Sequence, residues 1–256
     1  MSHIDEHGAI TQHKKYGGDE GDSAFFSGHF ELLRYIYPTG FHAIVKRPSF
    51  RLFFPDNDGR LVRHAKATRP WIREKDRGSR DQYTSWICLF ALKSEKKTRP
   101  VLKDIAKLLF KRVGFFTNTK KNGILNTPSK LPDFITPEVL SVLLRGLIGK
   151  WGYPLYLLFD AWLCLDVLHT RRFKDDSDVA NHLAVLMTSN LLHPTPLARL
   201  AMRLLDKTMM ERHLREYFTI APLNGWAFNN RRSAQNPTFL GNAYIEVLNE
   251  VYDDTV

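Results

Sequence analysis

Three short stretches of this chain set acidic side chains beside aromatic ones where a polar loop gives way to an apolar run with helical spacing. GDEGDSAFFSGHFE carries Asp19, Asp22 and His29; RGSRDQYTSW carries Arg80, Asp81, Gln82 and Tyr83; KLPDF carries Asp133. A carboxylate at a helix start accepts hydrogen bonds from the first free backbone N–H groups, so each acid alone reads as a cap. Flat apolar faces next to hydrogen-bonding acids are also the composition of a sugar site. Glycosidic cleavage requires one protonated carboxyl for the leaving oxygen and one carboxylate for water or the anomeric carbon. Asp22 and Asp81 are the expected pair, with Asp19, His29, Arg80, Gln82 and Asp133 as substrate contacts. A fourth stretch, DVANHLAVL, suggests elimination instead. A uronate lyase needs a group that neutralises the substrate carboxyl and a His or Tyr that moves the α-proton. Asn181 would take the first role, and His182 and Tyr83 the second, although a histidine on an amphipathic helix also reads as a packed core residue.

Other chemistries lack their residues. There is no GxSxG elbow, phosphate loop, HExxH or CxxC pair. His3, His7 and His13 have no ordered metal spacing. PDNDG opens like a calcium loop, but the position that should close it with an acid is Ala67. No metal or cofactor is expected. The chain carries 37 basic and 27 acidic residues, a formal charge of +10, which suits a polyanionic partner such as an acidic carbohydrate or a nucleic acid. Lys96, Lys97, Arg99, Lys111, Arg112, Lys120 and Lys121 would form the nucleic-acid surface, or else a solvated face.

The elements that must hold these residues are mostly helical, and 43% hydrophobic residues suffice for one sizeable core. Residues 1–18, polar and without apolar periodicity, read as a flexible arm able to fold over another surface; 19–256 read as a single helical domain. Phe26, Phe30, Leu33 and Tyr37 place a helix over about 23–36. FRLFF and RLVRHA, flanking PDNDG, predict a β-hairpin near 50–65. Helices are expected over RDQYTSWICLFALK, over PVLKDIAKLLFKRV and at 136–148, 153–169, 177–191, 195–218 and 241–252. Thr136 and Thr195 are among the expected caps. The stretch 114–132 is a candidate functional loop, and Trp226 and Phe228 mark a partner surface or a rim. Cys88 and Cys164 sit in apolar helical patterns and read as buried thiols of a reducing compartment. No membrane span and no secretory leader are evident, so the expected location is cytoplasmic.

GDEGDSAFFSGHFELLRY and SRDQYTSWICLFAL, each an acid-rich loop running into a helix with an aromatic and aliphatic face, resemble the inner helices of the (α/α) toroid enzymes. That superfamily includes glycosidases, uronate lyases and sugar epimerases. The resemblance implies antiparallel helical hairpins arranged in a ring, here a compact or incomplete one because the chain is short for six hairpins, with a site at the ring mouth. Asn181 and His182 are similar to the Asn-His pair of toroidal alginate-type lyases. Hydrolysis or elimination in an acidic oligo- or polysaccharide is the activity implied, against a non-catalytic binding or scaffold protein and a nucleic-acid-associated protein.

Overall fold

The computed structural model describes residues 3–11, 22–38, 48–74, 78–116, 120–121, 124–125, 134–168 and 176–205. Asp19, Asp133, Trp226, Phe228 and the expected helices beyond residue 205 lie outside them. Among the described residues the fold is mainly helical: α1 (Ser23–Ile36), α2 (Pro70–Arg73), α3 (Arg80–Lys93), α4 (Thr98–Lys111), α5 (Pro137–Ile148), α6 (Tyr153–Leu168), α7 (Asp176–Leu191) and α8 (Pro196–Leu205). Two minimal antiparallel pairings accompany them, β1 (His3–Ile4) with β2 (Ile10–Thr11) and β3 (Lys120–Lys121) with β4 (Ile124–Leu125).

α3 is the centre. Every residue from Gln82 to Ala91 is buried, so no side of this helix faces water over that length. The helix opens on a capping box in which Gln82 Oε1 accepts from the Ser79 backbone N–H at 2.6 Å. Packed against it are α1, α4, α5 and α7. Gly28 of α1 lies against Ser85 of α3, and the Tyr35 hydroxyl reaches the Leu92 carbonyl at 3.4 Å. Both pairs have the same sequence separation, so the two helices run parallel. Asp81 with Asn181, and Cys88 with Thr188, repeat that equality between α3 and α7. Gly146 against Ala91, and Glu138 beside Arg80, set α5 parallel to α3 as well. The N-terminal ends of α1, α3, α5 and α7 therefore open on one side, while α4 and α6 return antiparallel to α5. Arg99 at the start of α4 donates to the Leu147 carbonyl at the end of α5, 3.2 Å away, and Asp160 in mid-α6 meets Arg145 of α5.

The hairpin expected near 50–65 does not form. Ser49 accepts from the Arg51 N–H at 3.3 Å and starts a 3-10 turn over Phe50–Leu52. Leu52, Phe53 and Phe54 are all buried, as are Leu61 and Val62. Consecutive inward side chains contradict the alternation a strand needs. The aromatic surface of α3 imposes this: Phe53 packs 5.1 Å from Trp86 and Phe54 5.5 Å from Phe90, ring to ring. Gly59, at φ +76°, turns the chain where a Cβ would sit 2.5 Å from the Asp104 carbonyl oxygen.

Residues 3–11 contact the helices and the 48–74 segment. Ala9 and Ile10 are buried, Ile10 N–H donates to Ser27 Oγ of α1 at 3.0 Å, and Asp5 pairs with the buried His64 at 2.6 Å. No helix among the described residues is long and apolar enough to cross a membrane.

Candidate functional site

Side chains from three parallel helices meet at the common N-terminal side. Asn181 Nδ2 of α7 donates to Asp81 Oδ1 of α3 at 3.3 Å, and Asn181 Oδ1 lies 3.2 Å from His29 Nε2 of α1. The protonation pattern follows from inventory. A carboxylate only accepts, so the Asn181 amide must turn its NH2 to Asp81 and its carbonyl oxygen to His29; His29 must then donate from Nε2. Burial pushes the His29 pKa down to about 3, with the Asn181 bond opposing, so the ring is neutral near pH 7. A neutral, Nε2-protonated imidazole thus fixes the amide that in turn fixes the carboxylate. Arg80 lies 3.7 Å from Asp81 Oδ1, and both side chains keep partial solvent exposure.

A second carboxyl stands within electrostatic reach of Arg80. Glu138, in the first turn of α5, has its pKa raised chiefly by burial and further by the nearby Asp166 carboxylate, with the more distant Arg80 charge opposing. Glu138 is absent from the expected site. In the sequence, Thr-Pro-Glu at 136–138 reads as a helix start, and neither its partial burial nor its acidic neighbour is local information.

The remaining expected residues fall differently. Asp22 precedes α1 on the same side of the molecule as Asp81 and bonds Arg63 at 3.2 Å. Gln82 has its side-chain oxygen engaged in the capping box. Tyr83 is fully buried; its hydroxyl donates to the Gly59 carbonyl at 3.1 Å and accepts from the Leu61 N–H at 2.7 Å, tying the turn to α3. His182 is buried, and desolvation lowers its pKa to about 4. Among the described residues no group of three or more His, Cys, Asp or Glu could hold a metal ion. Cys88 and Cys164 are free and buried, with the Cys88 thiol pushed up to about 12 by desolvation. Lys96, Lys97 and Arg99 lie at one end of α4 and Lys111 and Arg112 at the other, about 20 Å apart at helical rise.

Sequence reasoning also missed a fully buried ion pair. Arg145 of α5 and Asp160 of α6 meet at 2.6 and 3.0 Å with no exposure of either side chain. Ser141 and Thr195 complete the cluster: Thr195 Oγ1 donates to Asp160 at 2.5 Å and accepts from the Ala198 N–H, capping α8 as expected. The signal lay in the spacing of Tyr156, Asp160, Leu163 and Val167, which puts a lone acid on the core-facing stripe of α6. No family model, no curated protein and no solved structure matches this chain.

Proposed function

We propose that the chain is a carbohydrate-active enzyme that hydrolyses a glycosidic bond in an acidic oligo- or polysaccharide at the N-terminal ends of α1, α3, α5 and α7. The observation that carries the reading is the Asp81–Asn181–His29 chain beside Arg80. It holds a partly exposed carboxylate in one orientation where several helix N-termini open together. Helix N-termini favour anions, and Arg80 is suited to a substrate carboxylate. Asp81 takes a proton from the attacking water, or attacks the anomeric carbon; Glu138 gives its proton to the leaving oxygen as the C–O bond breaks. Asn181 and His29 act through Asp81 as positioning residues. The parallel run of α1, α3, α5 and α7, with α4 and α6 returning, supports a toroid-like arrangement of helical hairpins. Hydrolysis is preferred to elimination because Tyr83 and His182, the residues an elimination would use, sit in the core.

A non-catalytic helical binding protein is the second reading, favoured by the Asp22–Arg63 ion pair and the capping role of Gln82. A panel of uronate-containing and neutral oligosaccharides decides between them. Cleavage of acidic members is expected, reduced by about 100-fold or more in Asp81→Asn and in Glu138→Gln. Binding without cleavage would establish the second reading, and turnover unaffected by Asp81→Asn would remove the mechanism.

A further inference from the structure

α4 buries one face and charges the other. Val101, Leu102, Ile105, Leu108 and Leu109 are buried where the helix packs on α3 and α5. Arg99, Lys103, Lys107 and Lys111 are exposed and recur every four residues, so they stand one per turn, about 6 Å apart along the helix. The exposed Lys96 and Lys97 extend the row past the helix start. Lys103 and Lys107 thus join the two basic ends of α4 into one ridge. Asp104 is the one acid in the helix; its side chain is mostly covered and bonds Lys107 at 2.9 Å, which leaves the lysine side chain 71% exposed.

Helix stability does not account for this ridge. Arg99 with Lys103, Lys103 with Lys107, and Lys107 with Lys111 are like-charge pairs four residues apart, which weaken a helix. Lys96, Lys97 and Arg99 crowd the helix N-terminus, where the dipole favours acids, and the first turn holds no acid. A polyanion laid along α4 relieves both repulsions. Phe110, three residues after Lys107 and next to Lys111, is 88% exposed and offers a flat ring within the row of cations.

We propose that α4 is a binding ridge for single-stranded nucleic acid, with Arg99, Lys103, Lys107 and Lys111 on backbone phosphates and Phe110 stacked on a base. Cations that track a backbone beside an aromatic ring are the means by which proteins hold unpaired strands. In a duplex the bases are already stacked on one another and leave no free face for the ring. An acidic polysaccharide has no base to lay on it. A helix lying on a lipid surface sinks its apolar face into the bilayer, and α4 keeps that face in the core. The ridge shares no residue with the Asp81 site, and the two stand or fall separately.

Fluorescence anisotropy of a labelled oligothymidine titrated with the full-length protein tests this. The logarithm of the affinity should fall linearly with the logarithm of salt concentration, with a slope of about −3 for four phosphates neutralised. Lys103→Gln with Lys107→Gln should weaken binding and make the slope shallower by about 1.4. Phe110→Ala should weaken binding about 5-fold or more and leave the slope unchanged. All three residues are exposed, so the variants should keep the wild-type circular dichroism. Arg199→Gln with Arg203→Gln removes the same charge from exposed positions of α8, which packs on α6 and α7, and should alter neither affinity nor slope. No binding, binding untouched by the α4 double variant, or an equal loss in the α8 variant would overturn the proposal. So would tighter binding to heparin, to phosphatidylserine vesicles or to duplex DNA than to the oligothymidine.

Discussion

Protonating either buried histidine means placing a charge in the core. His29 and His182 bind their protons near pH 3 and 4 in the folded chain, against 6.5 for a free imidazole. The unfolded chain therefore takes up more protons below pH 6.5, and the stability held above that value is lost as the pH falls through it toward the folded values. At about pH 5 the loss is ~2 kcal/mol for each histidine. Urea melts between pH 7 and pH 5 should show a falling midpoint, with a shallower slope in His182→Gln; a midpoint that does not move would contradict the burial of both rings. The Arg145–Asp160 pair makes a second residue-scale statement. Arg145→Met leaves Asp160 charged and unpaired in the core, at a cost of about 3–5 kcal/mol, whereas Arg145→Met with Asp160→Leu should recover most of it. Equal melting temperatures for the single and double variants would show that the charge of Asp160 is relieved in some other way. Residues of this kind are the least legible in a sequence. Asp81, Asn181, His29 and Arg80 can each be singled out by type, but the amide that joins Asp81 to His29 spans α1, α3 and α7, and only packing brings it there.

At the level of the elements, the close approach of α1 and α3 rests on a missing side chain. A Cβ at Gly28 would meet Ser85 Oγ, and would stand 2.8 Å from Trp86 Nε1, whose N–H donates to the Ala24 carbonyl at 2.9 Å. Gly28→Ala should cost about 1–3 kcal/mol through overpacking, partly restored by Ser85→Gly, as read by thermal melts. Restoration would identify the α1–α3 contact as the cause; a neutral Gly28→Ala would show that the helices separate freely. Helices α1, α3, α5, α6 and α7 were readable in the sequence because their apolar positions recur at three and four residues, and in α1 and α3 the expected bounds hold. The stretch at 50–65 was not readable, because FRLFF and RLVRHA satisfy strand propensity while the aromatic face of α3 draws neighbouring residues inward together. In the N-terminal arm, low hydrophobicity hid an anchor: two buried residues, Ala9 and Ile10, and the Asp5–His64 pair attach residues 3–11 to the core.

For the whole molecule, parallel packing gathers helix N-termini on one side, and the net charge of +10 would add long-range attraction for the acidic substrate proposed above. That attraction should weaken with salt, so KM for an acidic oligosaccharide is expected to rise with ionic strength while kcat stays nearly constant. The most direct measurement is cleavage of uronate-containing oligosaccharides in water enriched in heavy oxygen, read by mass spectrometry. Hydrolysis through Asp81 and Glu138 should place one solvent oxygen at each new reducing end, and Asp81→Asn should lower the yield of that product by about 100-fold or more. Fragments without solvent oxygen and with an unsaturated terminus, a panel left uncut, or wild-type cleavage by Asp81→Asn would contradict it.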